Sequence, residues 1–203
     1  LKIACYTALG AIRMQMQGFV AAPVKDAFAN VARLAKDQDG YSAANGPAFY
    51  GSFTHAIISA DKLAAEEFSR MLNDTAVTDP AGDPNKELRL ASLNVETSLH
   101  FYTGAFDKAS AAFHALRADY DIAQHGTMIS SYGADTYAAA QMFEGTTRAI
   151  CGDTHLVAEL IAETDAHQER LNIPVMQPWA QIWGAVALYY AGQIDAAIAR
   201  VQR

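Results

Sequence analysis

Five short turns, spaced almost evenly, constrain this 203-residue chain more than any other feature. In YTGAFDKASAAFHAL (102–116), Gly104 separates two segments with helical apolar spacing, the second carried by Phe106, Ala109, Phe113 and Leu116. A glycine inside a helix costs about 1 kcal/mol relative to alanine. Gly104 therefore marks a turn between two helices rather than the middle of one. Alignment on it places Gly18, Ala60, Gly152 and Gly192 in the same role, at steps of 42, 44, 48 and 40 residues. Apolar positions resume after each of them: Ala27, Val31 and Leu34; Leu63, Phe68 and Leu72; Val157, Leu160 and Ile161; Ile194, Ala197 and Val201. A near-constant period of this size is the mark of a helical-repeat architecture.

Each unit reads as helix A, a tight turn, helix B and a longer connector. The units run over about 1–40, 41–84, 85–133, 134–174 and 175–203, the last one cut short. Turn chemistry closes the B helices at DQDG (37–40), DPAGDP (79–84) and NIP (172–174). Pro84, Pro174 and Pro178 sit where the next A helix opens, a position that tolerates proline. The A helices carry the large side chains, among them Phe49, Tyr50, Phe53, Phe101, Tyr102, Phe143, Trp179 and Trp183. No segment alternates in the manner of a strand. The expectation is an all-α, superhelical array of antiparallel helix pairs forming a single domain. One pair cannot bury both of its faces, whereas stacked pairs share a continuous core. The concave side of such an array is lined mostly by A helices.

Composition narrows the function. The chain is 51% hydrophobic and 18% charged, which suits a packed core and not disorder. Its net charge of −7 comes without any basic run, which argues against nucleic-acid binding and favours neutral or basic partners. No apolar run is long enough for a membrane span. Cys5 and Cys151 are too few for a disulfide framework and both lie in apolar helical contexts, so they read as reduced, buried residues of a cytoplasmic protein. The chain opens on Leu1 without a leader and closes on GQIDAAIARVQR, a helix that has only begun. Both ends read as those of a piece of a larger protein.

Gly104, Phe106, Ala109 and Phe113 follow the tetratricopeptide pattern of a small residue, an aromatic, an alanine and a second aromatic. A more specific likeness lies in ADYDIAQHGTMISSYGADTYAAAQMFEGTTRAICGD. Tyr120, Asp121, Gln124, His125, Tyr132, Gly133 and Asp135 there match a "YD…QH…YG.D" segment. In this the chain resembles the tetratricopeptide-like regions that follow ATPase modules in bacterial adenylate or guanylate cyclase-like proteins and LuxR-type transcriptional regulators. The resemblance implies a helical-repeat sensor or interaction module in a bacterial signalling or transcription-regulatory protein. Pro23, just after the Gly18 turn, departs from the pattern.

Two groups of residues are candidates for contact with a ligand or partner. The first is DIAQHGTMISSYGADTY, with His125, Tyr132, Asp135 and Tyr137, where the array widens between two units. The same residues also suit a plain connector: Asp121 or His125 satisfying loose backbone, Gly133 at positive φ and Asp135 capping the next helix. The second is the aromatic stripe Trp179, Trp183 and Tyr190, suited either to core packing or to a binding hot spot, a homotypic contact included. His155, Glu159 and Glu163 share a helix face but lack the second histidine of a zinc helix, so a solvated face is the better reading. There is no nucleotide loop, no Gly-x-Ser-x-Gly nucleophile turn and no paired acid and base. The chain is therefore expected to work without catalytic residues, metal or cofactor. Its expected partner is a protein segment or a small effector held in the concave groove. A scaffold or oligomerisation spacer is the alternative.

Overall fold

A computed structural model describes residues 2–18, 20–36, 45–77 and 85–202. All five small-residue positions take left-handed backbone, with φ of 88° at Gly18, 58° at Ala60, 76° at Gly104, 93° at Gly152 and 75° at Gly192. At four of them the following residue's N–H reaches back across the helix end. Asp61 bonds to the Ala56 carbonyl at 2.9 Å, Ala105 to His100 at 2.8 Å, Asp153 to Arg148 at 2.9 Å and Gln193 to Leu188 at 2.9 Å. This is the bonding of a Schellman helix end, which satisfies orphan carbonyls. Ala60 adopts the same turn with a Cβ, at a cost of about 1–2 kcal/mol for its left-handed backbone.

Around these turns the chain forms helices α1 (Lys2–Gln17) and α2 (Ala22–Lys36), α3 (Gly46–Ile58) and α4 (Lys62–Val77), and α5 (Lys86–Tyr102) and α6 (Phe106–Asp119). Two short helices follow, α7 (Ile122–His125) and α8 (Ile129–Tyr132), and then α9 (Thr136–Cys151), α10 (Val157–Leu171), α11 (Gln177–Tyr190) and α12 (Ile194–Val201). Among the described residues there is no strand, so the chain is all-α. Pro47 and Pro178 stand in the first turns of α3 and α11, and Pro174 opens a 3-10 turn before α11. Pro23 is the second residue of α2, again where a missing N–H does no harm. The DQDG and DPAGDP connectors and Pro84 lie outside the described residues.

Each helix packs on its hairpin partner, and hairpins meet their neighbours in chain order. Helix α3 touches α1 and α2, α5 touches α3 and α4, α9 touches α5 and α6, and α11 touches α9 and α10. The largest core joins α3 to α9 through Phe49, Phe53, Met71, Leu72, Leu88, Val95, Phe113, Leu116 and Ala140. Phe28 of α2 lies between Gly10 of α1 and Gly51 of α3, and a methyl group at either glycine would run into its ring.

The cysteines are not buried: Cys5 and Cys151 are both exposed and free. Cys5 sits on a side of α1 that also exposes Ala8, Leu9 and Ile12. An apolar helical context identifies a face, but not whether anything covers it.

Candidate functional site

The widened step between α6 and α9 is built from its polar residues. The Asp121 carboxylate caps α7 by accepting the Ala123 N–H at 2.9 Å. The Asp121 N–H donates to Nδ1 of buried His125, also at 2.9 Å, which leaves a neutral ring's proton on Nε2. Gly133, at φ 73°, ends α8. Asp135 then caps α9: its Oδ1 accepts the N–H groups of Tyr137 at 3.1 Å and Ala138 at 3.2 Å. Its Oδ2 lies 2.8 Å from His167 Nε2 and accepts Gln168 Nε2 at 2.8 Å, both residues of α10. The Tyr120 ring stacks on Tyr137 at 4.5 Å, and the His167 ring lies 4.8 Å from Tyr137.

Asp135, His125 and His167 are all buried in this knot. Burial, reinforced by the Asp135 charge, pushes the Tyr120 phenol well above the ordinary tyrosine value. It stays neutral at physiological pH and cannot serve as a base. Each Asp135 oxygen already has two hydrogen-bonding neighbours. A carboxylate so engaged has little left to offer a substrate, and Asp135 caps α9 from within the knot. Tyr132 points elsewhere: its ring meets Tyr50 of α3 edge-on at 5.4 Å.

The other place is an apolar groove crossing the A helices of four hairpins. Tyr50, Phe53, Thr54, Ile57 and Ile58 of α3 form one wall, with Asn94, Ser98 and Tyr102 of α5 beside them. Gly133 and Ala134 of the step, Met142 and Phe143 of α9, and Met176, Trp179 and Trp183 at α11 complete it. The polar groups of Tyr50, Thr54, Asn94 and Ser98 are already engaged. The Tyr50 hydroxyl donates to Asn94 Oδ1 at 3.0 Å, and Asn94 Nδ2 donates to the Thr136 carbonyl at 2.9 Å. Thr54 and Ser98 donate to carbonyls in their own helices, those of Tyr50 and Asn94. Phe143 fixes the aromatic end, 5.0 Å from Phe101 and 4.9 Å from Trp183. The floor therefore presents carbon and ring edges, with no charged side chain. Its enclosed part measures about 80 Å³. A water molecule takes roughly 10–15 Å³ on that scale, so the space has room for one or two apolar side chains.

The six residues singled out in the sequence thus separate. His125, Asp135 and Tyr137 join the knot, Tyr132 braces α3, and Trp179 and Trp183 line the groove. Tyr190, placed on the same stripe by its spacing, is exposed and pairs instead with Tyr189, with 5.7 Å between ring centroids. Glu163 is taken up by Arg117 at 2.9 Å and Gln141 at 2.8 Å. Among the described residues no cluster of three or more His, Cys, Asp or Glu is placed to hold a metal. None has a helix long and apolar enough to cross a membrane. Sequence reasoning missed the groove's other wall. Tyr50, Asn94 and Met142 each stand ten residues before their turn residue, and that shared register was the available signal.

Compared with known proteins, the chain matches no family model, no curated protein and no solved structure.

Proposed function

We propose that the chain is a superhelical, tetratricopeptide-like array that serves as the interaction module of a bacterial signalling or transcription-regulatory protein. It holds an apolar segment of a partner in the groove, acts in the cytoplasm and catalyses nothing itself. The observation that carries this reading is the groove: a slot with an apolar floor, built from the A helices of four hairpins that pack in chain order. A peptide laid across it touches several hairpins at once, so occupancy can bias how they sit on one another. The net charge of −7 affects how a partner approaches, whereas the seat itself is uncharged.

The protein carries its own reporters, since its two tryptophans, Trp179 and Trp183, both line the groove. Peptides selected from a display library on the immobilised chain should shift or quench tryptophan emission, with an affinity that barely changes with salt. Ile58→Asp, at a partly exposed position on the groove wall, should abolish the response, while Lys62→Ala, on the exposed side of α4, should leave it intact. Selected peptides that leave the emission unchanged, or that bind Ile58→Asp equally well, would rule out the groove as the seat. A second reading, an oligomerisation spacer, is favoured by the exposed apolar side chains at both ends of the fold, Leu9 and Ile12 on α1 and Ile194 and Ile198 on α12. A spacer would yield no groove-binding peptide.

A further inference from the structure

The longest interval between turns, 48 residues from Gly104 to Gly152, contains the widened step. Helices α6 and α10 both pack on α9 there. Between them lies an open cavity of about 390 Å³. Arg117, Tyr120 and Tyr137 line one side of it, and Glu163, His167 and Arg170 of α10 line the other. The last three stand four and three residues apart, which puts them on one face of their helix. Small-molecule sites measure roughly 300–1,000 Å³, so the space is large enough for a ligand. The cavity shares no lining residue with the apolar groove.

Its chemistry differs from that of the groove as well. The stacked rings of Tyr120 and Tyr137 supply a flat aromatic wall. The Arg117 guanidinium reaches across to Glu163 at 2.9 Å. Arg170 is exposed and pairs with no carboxylate among the described residues. Each ring has one of these charges within reach. Burial and the Asp135 charge raise the Tyr120 phenol against the Arg170 charge, and burial raises the Tyr137 phenol against the Arg117 charge. The neighbouring carboxylates are committed. Glu163 accepts from Arg117 and Gln141, and Asp121 accepts from the Ala123 N–H and from Gln124. Asp135 is buried, and His167 Nε2 and Gln168 occupy its Oδ2. Two guanidiniums and one carboxylate leave the cavity lining with a positive excess, in a chain whose net charge is −7. A guanidinium forks onto a carboxylate, and an aromatic ring packs on another ring.

We propose that this cavity binds a small aromatic carboxylate, with Arg170 taking the carboxylate and the Tyr120–Tyr137 wall taking the ring. Arg117 is the second cation, held in part by Glu163. The ligand touches α6 and α10 and so reports on the spacing of two hairpins at the step. The site works whether or not the groove is occupied.

Benzoate is the probe. In proton–nitrogen NMR spectra of the chain it should shift the Arg170 side-chain Nε–H and the Tyr137 amide, and calorimetry should give its affinity. Cyclohexanecarboxylate carries the same charge without a flat ring and should bind roughly threefold to tenfold more weakly. Inorganic phosphate should not displace benzoate at equal concentration. Arg170→Gln, at an exposed and unpaired position, should weaken benzoate about tenfold or more and leave the unfolding midpoint unchanged. Glu163→Gln releases Arg117 from its rival anion and should tighten benzoate by about two- to fivefold. An Arg170 Nε–H that does not shift overturns the proposal, as does Arg170→Gln binding benzoate as tightly as the unmodified chain. Cyclohexanecarboxylate or phosphate bound as tightly as benzoate overturns it too, because the aromatic wall would then play no part.

Discussion

The seam between α3 and α9 and the seam between α9 and α12 share a turn register but are filled differently. The first is packed with large side chains, including Phe49, Met71, Leu72, Leu88, Phe113 and Leu116, all fully buried. The second combines a small-residue side, Ala149, Ala185, Ala187 and Ala197 with Val157 and Leu188, and a groove side where Met142 and Phe143 meet Ala180 and Trp183. A buried Phe or Leu contributes about 1.5–3 kcal/mol by transfer, and an alanine methyl only a fraction of that. Small residues bring the helices close, and the C-terminal hairpin adds a salt bridge. Buried Arg200 forks onto Asp165 of α10, with Nη1 2.9 Å from Oδ2 and Nη2 2.5 Å from Oδ1. Its guanidinium lies over Gly184, where any Cβ would collide with it. The central hairpins are joined mainly by large, fully buried side chains, and the last hairpin by small residues, one aromatic pair and a buried arginine.

The sharpest way to break this contrast is at its strong side. Phe113→Ala should cost about 3–5 kcal/mol and lower the midpoint of the whole unfolding transition. A loss below about 1 kcal/mol in a denaturant titration would mean that the central seam is not the main source of stability. Next comes the joint between the two regions. Asp135→Ala removes the α9 cap and strands His167 and Gln168, for an expected loss of about 2–4 kcal/mol. Arg200→Ala should cost less, about 1–3 kcal/mol, because Asp165 is partly exposed and regains water. Hydrogen exchange should show the damage confined to α11 and α12, and faster exchange throughout α5 would contradict a separable last hairpin.

The smallest effect is a pH dependence that belongs to the central region and the joint. Burial raises the phenols of Tyr50, Tyr120 and Tyr132 above the ordinary value near 10. The folded chain therefore keeps protons that the unfolded chain gives up. Their contribution is complete below pH about 10 and declines as the pH rises beyond it. Tyrosinate absorbance should lag behind that of free tyrosine and appear together with unfolding. Three phenols titrating near 10 in a chain that remains folded would contradict their burial.

The turns were legible because left-handed backbone favours glycine, and glycine is visible in sequence. Ala60 was legible only through its spacing. The helical class followed from the apolar period, and the Asp135 cap from its place before α9. The groove was half legible. Trp179 and Trp183 announced themselves, but Tyr50 and Asn94 read as ordinary helix residues until the register set them side by side. Long-range pairs left no local trace: Asp135 with His167, 32 residues apart, and Asp165 with Arg200, 35 apart, depend on which hairpin lies beside which. Exposure was the least legible property. Cys5 and Tyr190 have apolar neighbours in sequence, yet no described residue covers them.

Two residues before each turn stands an exposed apolar side chain: Met16, Ile58, Tyr102, Ile150 and Tyr190. Spin labels at these positions, on a chain with both native cysteines changed to serine, measure the order of the hairpins directly. Pairing Ile58→Cys in turn with Tyr102→Cys, Ile150→Cys and Tyr190→Cys should give distances that lengthen at every step, by about 8–10 Å per packed helix. A 58–190 distance as short as the 58–102 distance would show hairpins gathered into one bundle, and the account of a chain-ordered stack would be wrong.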